Sequence, residues 1–414
     1  MASQPEYIGP YRWVIVTSVT ALTGAHLVII YMIGLLLPDM IDDLGLSSTE
    51  QGWVSSSVLL ANLVMAVPLN TLLSRFRPWR IIALMSLAVA GFGFLQGWSP
   101  VLAALIIGRV GVGLCFAATM TPRALMLQQW STQRRIALTN GAWVSGVDVL
   151  MGVGFLVTPF VLDWLGSWQG VYYFWGFVSL GLAVAWLVFG RERSSGEYRQ
   201  RMDAQRDSPL TVFRKYPELW IIGLGMFGGM TANTGFQTFW PRLAEEQLHI
   251  DPKIVALTLA FQAFATAPLG FLVNAVPRFV SKQPLILAVG GLAVTASYTA
   301  LLYTTDTPVV LLLGVAEGLA RAYFPVLMTM VFLLPRVKPR EAGIGLTFME
   351  TCIWGGGALG PVVVGFVEEA VGDLRVAIMV ICFAPLVLLP VAGLLVLRRW
   401  DPFANLTPGR AHGA

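Results

Sequence analysis

The chain has 414 residues, of which 56% are hydrophobic and only 12% are charged, and its mean hydropathy is +0.71. A soluble globular protein carries about 25% charged residues, so this composition excludes both a soluble globular chain and a disordered one. The formal net charge is +4, and Cys115, Cys352 and Cys382 lie apart in apolar runs, which excludes a disulfide framework and a cysteine zinc site. The composition predicts an integral membrane protein.

Twelve apolar runs are long enough to cross a bilayer, which takes about 20 residues per helix. Six precede a polar stretch, at 13–37, 53–73, 80–98, 101–126, 137–161 and 171–190, and six follow it, at 218–240, 253–276, 284–303, 308–333, 342–367 and 376–397. The sequence therefore predicts an all-α integral membrane fold of twelve transmembrane helices. We expect an N-terminal six-helix bundle at 1–190, a cytoplasmic linker at 191–216, a C-terminal six-helix bundle at 217–400 and a cytoplasmic tail at 401–414.

Basic residues indicate how these helices are oriented, because cytoplasmic loops carry an excess of lysine and arginine. The connections after the second, fourth, eighth and tenth spans are rich in them: Arg75, Arg77, Arg80, Arg134, Arg135, Arg278, Lys282, Arg336, Lys338 and Arg340. Both termini and the linker are therefore expected to face the cytoplasm, with the protein in the cell (inner) membrane. The basic charge is a topology signal and gives no indication of nucleic-acid binding.

The two halves of the chain repeat each other at an offset of 206 residues, since the segment at 105–111 aligns with 311–317 and Gly154 aligns with Gly360. Pro38 and Pro241 are expected to end the first span of each half. Because each half contains an even number of spans, the two bundles have the same topology and are expected to be related by a pseudo-two-fold axis along the membrane normal. This arrangement is typical of transporters that hold a central site between two bundles.

Two short motifs resemble those of a known family. The connection after the second span retains the arginine of that family's loop signature at Arg75, and the fourth span holds its Arg-x3-Gly-x3-Ala pattern at Arg109, Gly113 and Ala117. With the twelve spans and the basic linker, the chain resembles the major facilitator superfamily over nearly its whole length. The resemblance implies that spans 1, 4, 7 and 10 line a central cavity, that spans 5 and 11 flank it, and that Arg75 contributes to gating.

Six ionisable residues lie deep in the predicted spans, where each charge costs about 2.5–3.5 kcal/mol on insertion scales and therefore needs a partner or water. They belong to spans that the resemblance places around the cavity: His26, Arg109, Asp148, Glu317, Arg321 and Glu350. This distribution favours a polar cavity between the two halves.

The arginines are candidates for binding an anion. Arg109 and Arg321 lie one in each half, and their planar guanidinium groups match a carboxylate that is held from both sides. Arg109 has the alternative role of a fold-level residue, held by an acid or by backbone carbonyls. Arg123 lies further along the same helix, about 21 Å lower, and is expected at the cytoplasmic boundary as a topology charge or a gate.

The acids and His26 are candidates for proton coupling. Glu317 precedes Arg321 by four residues, which places both on one face of a helix. An anionic substrate that takes Arg321 from Glu317 would let Glu317 accept a proton, and a self-neutralising pair is the alternative. Asp148, Glu350 and His26 are further candidate proton carriers, with buried hydrogen bonds or ion pairs as the alternative for each.

Uncharged side chains are expected to complete the substrate site. Asn233 and Gln237 share a face of the seventh span and are candidate hydrogen-bond donors, and Tyr31 and Tyr323 are candidate aromatic walls. Helix–helix hydrogen bonding and core packing are the alternatives for these four residues.

Together these residues predict a secondary transporter that moves a small organic anion by alternating access, in symport with protons. The sequence contains no P-loop, no nucleophile–base pair and no histidine cluster, so we expect no enzyme activity, no cofactor and no metal. The expected partners are the small-molecule substrate, protons and lipid, with the chain as a monomer. Two alternatives stay open: a proton-coupled drug antiporter whose acids meet a cationic substrate, and a non-transporting membrane sensor or scaffold.

Overall fold

The computed structural model describes residues 9–398, apart from residues 74–75, 132–135, 194–208, 270–271, 273–281, 335–336 and 338. The first half contains α1 (Tyr11–Tyr31, continued after a turn at Met32 by Ile33–Leu44), α2 (Ser48–Leu73), α3 (Pro78–Trp98), α4 (Leu102–Gln129), α5 (Ile136–Leu165) and α6 (Trp168–Phe189). A short helix at Pro209–Lys215 precedes the second half, which contains α7 (Glu218–Glu246), α8 (Pro252–Thr266), α9 (Gln283–Leu301), α10 (Thr307–Ala320 and Tyr323–Met330), α11 (Pro339–Val371) and α12 (Leu374–Cys382 and Leu388–Leu397).

In the described part of the chain the fold is all-helical and, besides the short helix at Pro209–Lys215, consists of twelve helices in two six-helix bundles, as the sequence predicts. Within the described ranges, nine helical regions are long and apolar enough to cross a membrane. The remaining three are α2, α7 and α8. The first two carry several polar side chains on their buried faces, and the described helix of α8 has 15 residues. The polar faces of α2 and α7 are turned toward other helices, which explains why hydropathy alone underrates them.

The outer surface of the bundles is apolar, as a bilayer requires. Leu84 in α3, Ile107 in α4 and Leu312 in α10 are 62%, 59% and 66% exposed. In water such a surface would be a large apolar patch, whereas in a membrane it faces lipid.

The packing of glycines reproduces the internal repeat. A methyl group at Gly154 of α5 would lie 2.2 Å from the Val28 side chain of α1, and one at Gly360 of α11 would lie 2.2 Å from the Thr231 carbonyl oxygen of α7. These glycines are the pair that the sequence repeat aligns. The close approach of α5 to α1 therefore has its counterpart in that of α11 to α7, as expected for bundles related by a pseudo-two-fold axis.

Pro38 and Pro241 do not end their helices, so this expectation from the sequence is wrong. Both helices continue for another turn or more beyond the proline. A proline inside a helix leaves the carbonyl four residues earlier without its usual N–H donor, here the carbonyls of Gly34 and Gln237. These two positions meet at the bundle interface, where a methyl group at Gly34 would lie 2.1 Å from the Gln237 carbonyl oxygen. Both missing hydrogen bonds lie at the close contact between α1 and α7, and both helices continue beyond this contact.

The two bundles are joined on the side where α1 ends and α2 begins, which we call the outer side because the sequence predicts it to be external. Ser56 of α2 donates a hydrogen bond to the Ala358 carbonyl of α11 at 2.6 Å. Arg242 of α7 donates to Gln51 of α2 at 2.9 Å and to Glu368 of α11 at 2.8 Å. We call Arg242, Gln51 and Glu368 the outer latch. These contacts close the outer side of the interface.

A second contact between the bundles runs along α5 and α8. Lys253 and Asp163 form an ion pair of 2.8 Å at the outer end of these helices. Further inward, the Ser145 hydroxyl of α5 donates to the Ala267 carbonyl that follows α8. The two bundles are thus in contact along two lines, one through α2, α7 and α11 and one through α5 and α8. The interior charges lie between these two lines.

Candidate functional site

Arg109, near the outer end of α4, is paired with backbone carbonyls. Its Nε donates to the Val54 carbonyl at 2.6 Å, and its Nη2 donates to the carbonyls of Ile30 and Ser55 at 3.2 and 3.3 Å. These bonds tie α4 to α1 and α2 and compensate a guanidinium that is only 1% exposed. The arrangement favours the structural role that the sequence left open for Arg109.

Arg123 lies on the same face of α4 but has a different environment. Its Nη2 donates to His26 Nδ1 of α1 at 2.9 Å, and its guanidinium carbon lies 4.6 Å from the centre of the Phe116 ring. Although Arg123 is 1% exposed, its Nε and Nη1 have no hydrogen-bond partner in the described part of the chain. Because an arginine only donates, Nδ1 is the acceptor of the His26 ring and the ring proton lies on Nε2, which also has no partner among these residues.

Two aromatic rings connect this pair to the other bundle. The Phe116 ring contacts Trp354 of α11 edge to face, with ring centres 5.4 Å apart. Trp354 Nε1 in turn donates to Glu350 Oε2 at 3.1 Å. A line of contacts from Arg123 through both rings to Glu350 therefore crosses the interface between the bundles.

The C-terminal bundle holds a row of hydrogen-bonding side chains, Gln237, Gln262, Tyr298 and Asn233, which we call the amide–tyrosine row. Gln237 donates to Gln262 at 3.2 Å, Gln262 donates to the Tyr298 hydroxyl at 3.4 Å, and Tyr298 donates to Asn233 at 3.3 Å. The Tyr298 ring is stacked on Phe236 with centres 4.0 Å apart. These bonds are helix–helix bonds, the alternative that the sequence allowed, and at 3.2–3.4 Å they are at the long end of the usual range.

Glu317 and Arg321 lie where α10 is interrupted. Pro325 has no N–H for the Arg321 carbonyl, and the first segment of α10 ends at Ala320. Glu317 is completely buried, and neither of its carboxylate oxygens has a hydrogen-bond partner within the described ranges. The Arg321 guanidinium lies within electrostatic range of Glu317 and, across the interface, of Asp148 of α5, and neither acid contacts it as a direct ion pair.

Four partly exposed side chains surround the space between the bundles. Tyr31 of α1 and Asp148 of α5 belong to the N-terminal bundle, and Arg321 and Glu350 belong to the C-terminal bundle. Tyr31 interacts electrostatically with both Arg321 and Glu350. Their partial exposure, together with these interactions, favours a polar crevice between the bundles to which all four side chains contribute.

The sequence model of one protein family, the Major Facilitator Superfamily, matches residues 19–361. The chain belongs to this superfamily. It is therefore a multi-pass membrane protein of a superfamily of transporters, whose members are not enzymes.

Among superfamily proteins, the chain is similar in sequence to a probable L-galactonate transporter of Escherichia coli (strain K12). The two are 24% identical over 304 residues, a match that covers 66% of this chain and 65% of the relative. The chain thus spans less than two thirds of that relative's length.

In structure, the chain is similar to a bacterial homologue of the human lysosomal transporter Spinster in an inward-facing, unoccupied conformation, with a TM-score of 0.74, 19% identity, and coverage of 97% of this chain and 99% of the other. The inward-facing, occupied form of that homologue gives a TM-score of 0.70 at 20% identity, covering 94% and 95%. A variant of the nucleoside transporter NupG gives 0.70 at 14% identity, covering 92% and 99%. At these identities the likeness concerns the superfamily fold.

Within the superfamily fold, the predicted site residues fall into separate groups. Arg321 lies near Glu317, Asp148 and Tyr31. Arg109 lies apart from this group and donates its hydrogen bonds to backbone carbonyls. Tyr323 is buried, with its hydroxyl close to Gly229 of α7. The predicted gate Arg75 lies outside the described residues.

Arg123 does not lie at the inner, cytoplasmic boundary of its span, although its position in the sequence suggested that location. A helical side chain points toward the N-terminus of its helix, which for α4 is the outer end. The guanidinium therefore reaches back two turns to Phe116 and meets His26 in the middle of α1. The direction of the side chain was the signal that could have placed it.

Proposed function

We propose that this transporter carries a small organic anion together with protons across the inner membrane. The crevice between the bundles opens alternately to each side, both termini face the cytoplasm, and the chain works as a monomer. The closed outer side, together with the likeness to an inward-facing structure, supports access from the cytoplasmic side in the form described here.

The observation that carries the proposal is the position of Arg321. One guanidinium interacts with a carboxylate of its own bundle, Glu317, and with a carboxylate of the other bundle, Asp148. An interaction that spans both bundles depends on their relative position, so a ligand that changes it also changes the balance between conformations.

Proton coupling follows from competition for this guanidinium. An anion that approaches Arg321 replaces Glu317 or Asp148 as its partner. A buried carboxylate that has lost its cation is costly in its charged form, and binding a proton removes that cost. Anion and proton therefore enter the crevice together, and symport is the direction of coupling that this exchange supports.

The relative in Escherichia coli supports an organic acid as the substrate, because it is named a probable L-galactonate transporter. L-galactonate is a polyhydroxylated carboxylate. The amide–tyrosine row supplies neutral donors and acceptors that suit hydroxyl groups, and Arg321 supplies a cation that suits the carboxylate. We therefore expect hydroxylated carboxylates to be transported better than apolar ones.

The test is proton movement in liposomes that contain the purified protein and an internal pH-sensitive dye. Addition of external L-galactonate is expected to acidify the lumen, as protons enter with the anion, and protein-free liposomes serve as the control. Proton exit on addition of a lipophilic cation would instead support a drug antiporter that uses Asp148, Glu317 and Glu350. Carboxylate binding without any flux would support a sensor.

A further inference from the structure

The Arg123–His26 pair has no part in the mechanism above, and the geometry points to this pair as the anion-binding site of the N-terminal bundle. A carboxylate group of the transported anion binds the free N–H groups of Arg123, beside His26, and Arg321 holds the anion from the other bundle. This inference rests on the proposed anion transport and deepens it, because it replaces Arg109 by Arg123 as the N-terminal partner of Arg321.

The first argument is the set of unused donors. Arg123 is 1% exposed, and its Nε and Nη1 have no hydrogen-bond partner in the described part of the chain. The contacts that the structure gives it are to an imidazole nitrogen of His26 and to the face of Phe116. Neither contact supplies a negative charge, and a buried guanidinium is stabilised only when its charge and its hydrogen bonds are compensated.

The second argument is the contrast with Arg109 on the same helix face. Arg109 is equally buried, but three backbone carbonyls accept its hydrogen bonds. An anion would have to displace these carbonyls, each of which would then lose its donor. Arg123 can accept an anion without breaking any hydrogen bond of the backbone.

The third argument is location. The ring of Phe116, over which Arg123 lies, contacts Trp354 of the C-terminal bundle. Arg123 is therefore one ring away from the interface that contains Arg321 and Glu350. An anion at Arg123 lies beside Phe116, one ring from the C-terminal bundle, so a ligand that extends past this ring is held by both bundles and stabilises their closed arrangement.

The chemistry of the site favours a planar oxyanion. Nη2 has a second hydrogen besides the one directed at His26, and this hydrogen forms a planar fork with the free N–H of either Nη1 or Nε, which matches the two oxygens of a carboxylate. His26 Nε2 carries the ring proton and has no partner among the described residues, so it is available as an additional donor. We therefore expect the carboxylate of the substrate between this site and Arg321, with its hydroxyl groups directed toward the amide–tyrosine row.

The experiment measures binding of L-galactonate, and of a panel of other carboxylates, to the purified full-length protein by isothermal titration calorimetry. Arg123→Gln is expected to weaken binding about 100-fold, because a charge-assisted contact is lost. Arg123→Lys keeps the charge but not the planar donors, so we expect a loss of about tenfold. Arg109→Gln is the matched control, from the same helix face, and should leave the affinity within about twofold of the wild type.

The outcomes separate this inference from the proposed function. Binding by the wild type that Arg321→Gln weakens and Arg123→Gln leaves unchanged would overturn the role of Arg123 alone. Absence of carboxylate binding by the wild type would overturn the proposed function, and this inference with it. If Arg123→Gln is not monodisperse in size-exclusion chromatography, Arg123→Lys decides, since unchanged affinity in that variant also contradicts a carboxylate on the guanidinium.

Discussion

The outer region and the middle of the bundle interface differ in the hydrogen-bond partners of their buried charges. In the outer region, Arg109 donates to three backbone carbonyls and Arg242 bridges the two bundles through hydrogen bonds to Gln51 and Glu368. In the middle, Arg123 keeps two nitrogens and Glu317 keeps both oxygens without a hydrogen-bond partner within the described ranges. In the outer region the protein itself compensates both arginines, although Glu368 Oε2 has no partner among the described residues, whereas the middle depends on water, protons or a ligand.

Burial alone therefore does not identify a functional charge. Arg109 and Arg123 are both 1% exposed and lie on one face of α4. Only their acceptors differ. A charge with backbone acceptors holds the fold together, and a charge with unused donors is available for exchange, so substitutions in the two regions should affect different measurements.

The largest effect is expected from Arg321→Gln in the middle region. Loss of this guanidinium removes the C-terminal contact with the anion, which is worth about 3 kcal/mol, or about 100-fold in anion-driven proton uptake. The measurement is the dye-detected uptake in liposomes, with the size-exclusion profile as a check on folding. Uptake within twofold of the wild type would remove Arg321 from the site.

The next effect is expected from Glu317→Gln, which mimics the protonated acid. Arg321 is then available to the anion without proton uptake, so exchange of labelled L-galactonate across the membrane should persist. Net proton uptake driven by the anion should fall about twofold, since one of the two acids that face Arg321 no longer titrates. Asp148→Asn is the matched variant for the second acid.

Wild-type proton uptake in Glu317→Gln would assign coupling elsewhere, and Asp148→Asn would then be expected to show the loss. Wild-type uptake in both single variants and in the double variant would contradict the proton exchange at Arg321.

The sequence was sufficient for the fold and for the inventory of interior charges. Twelve apolar runs of about 20 residues leave few alternatives to a helical bundle, because backbone groups in lipid must pair within one segment. An ionisable residue in such a run is visible without any structure. The repeat at Gly154 and Gly360 likewise indicated the symmetric packing that the structure contains.

The pairing of those charges was not predictable from the sequence. Arg123 and His26 are 97 positions apart, and whether they meet depends on how α4 packs on α1 and on the direction of a long side chain. The same holds for Arg109, whose acceptors are backbone carbonyls. Every residue has such a carbonyl, so these acceptors cannot be recognised from the residue types in the sequence. The prolines at 38 and 241 were misjudged because the contact that accommodates them lies between the bundles.

A moderate effect on stability, without loss of anion affinity, is expected from Arg109→Gln in the outer region. The substitution deprives the carbonyls of Val54, Ile30 and Ser55 of their donor, which should lower the free energy of unfolding by about 3 kcal/mol. The measurement is the thermal unfolding midpoint in detergent, compared with the carboxylate affinity of the same sample. An unchanged midpoint with weakened binding would reverse the roles assigned to Arg109 and Arg123.

The smallest effect is expected from Glu368→Gln, which weakens the outer latch without touching the middle region. The carboxylate is a partner of Arg242, whose guanidinium also contacts Gln51 of the other bundle. Glutamine keeps a hydrogen-bond acceptor for Arg242, which also pairs with Glu246, so the loss is limited to about 1 kcal/mol and the share of molecules open on the outer side should rise about threefold. Spin labels at the exposed positions Asp42 and Gln247, at the outer ends of α1 and α7, report this opening as a longer distance.

Glu218→Gln is the control for the latch, because it removes the ion pair with Arg398 inside one bundle and should leave the distance distribution unchanged. The opening in Glu368→Gln should be modest because the approach of Gly34 to the Gln237 carbonyl does not depend on the latch. If the distribution does not change in Glu368→Gln, this close backbone contact, rather than the latch, holds the outer side closed. Gly34→Val would then be the variant that opens it, since a side chain at that position cannot coexist with the contact.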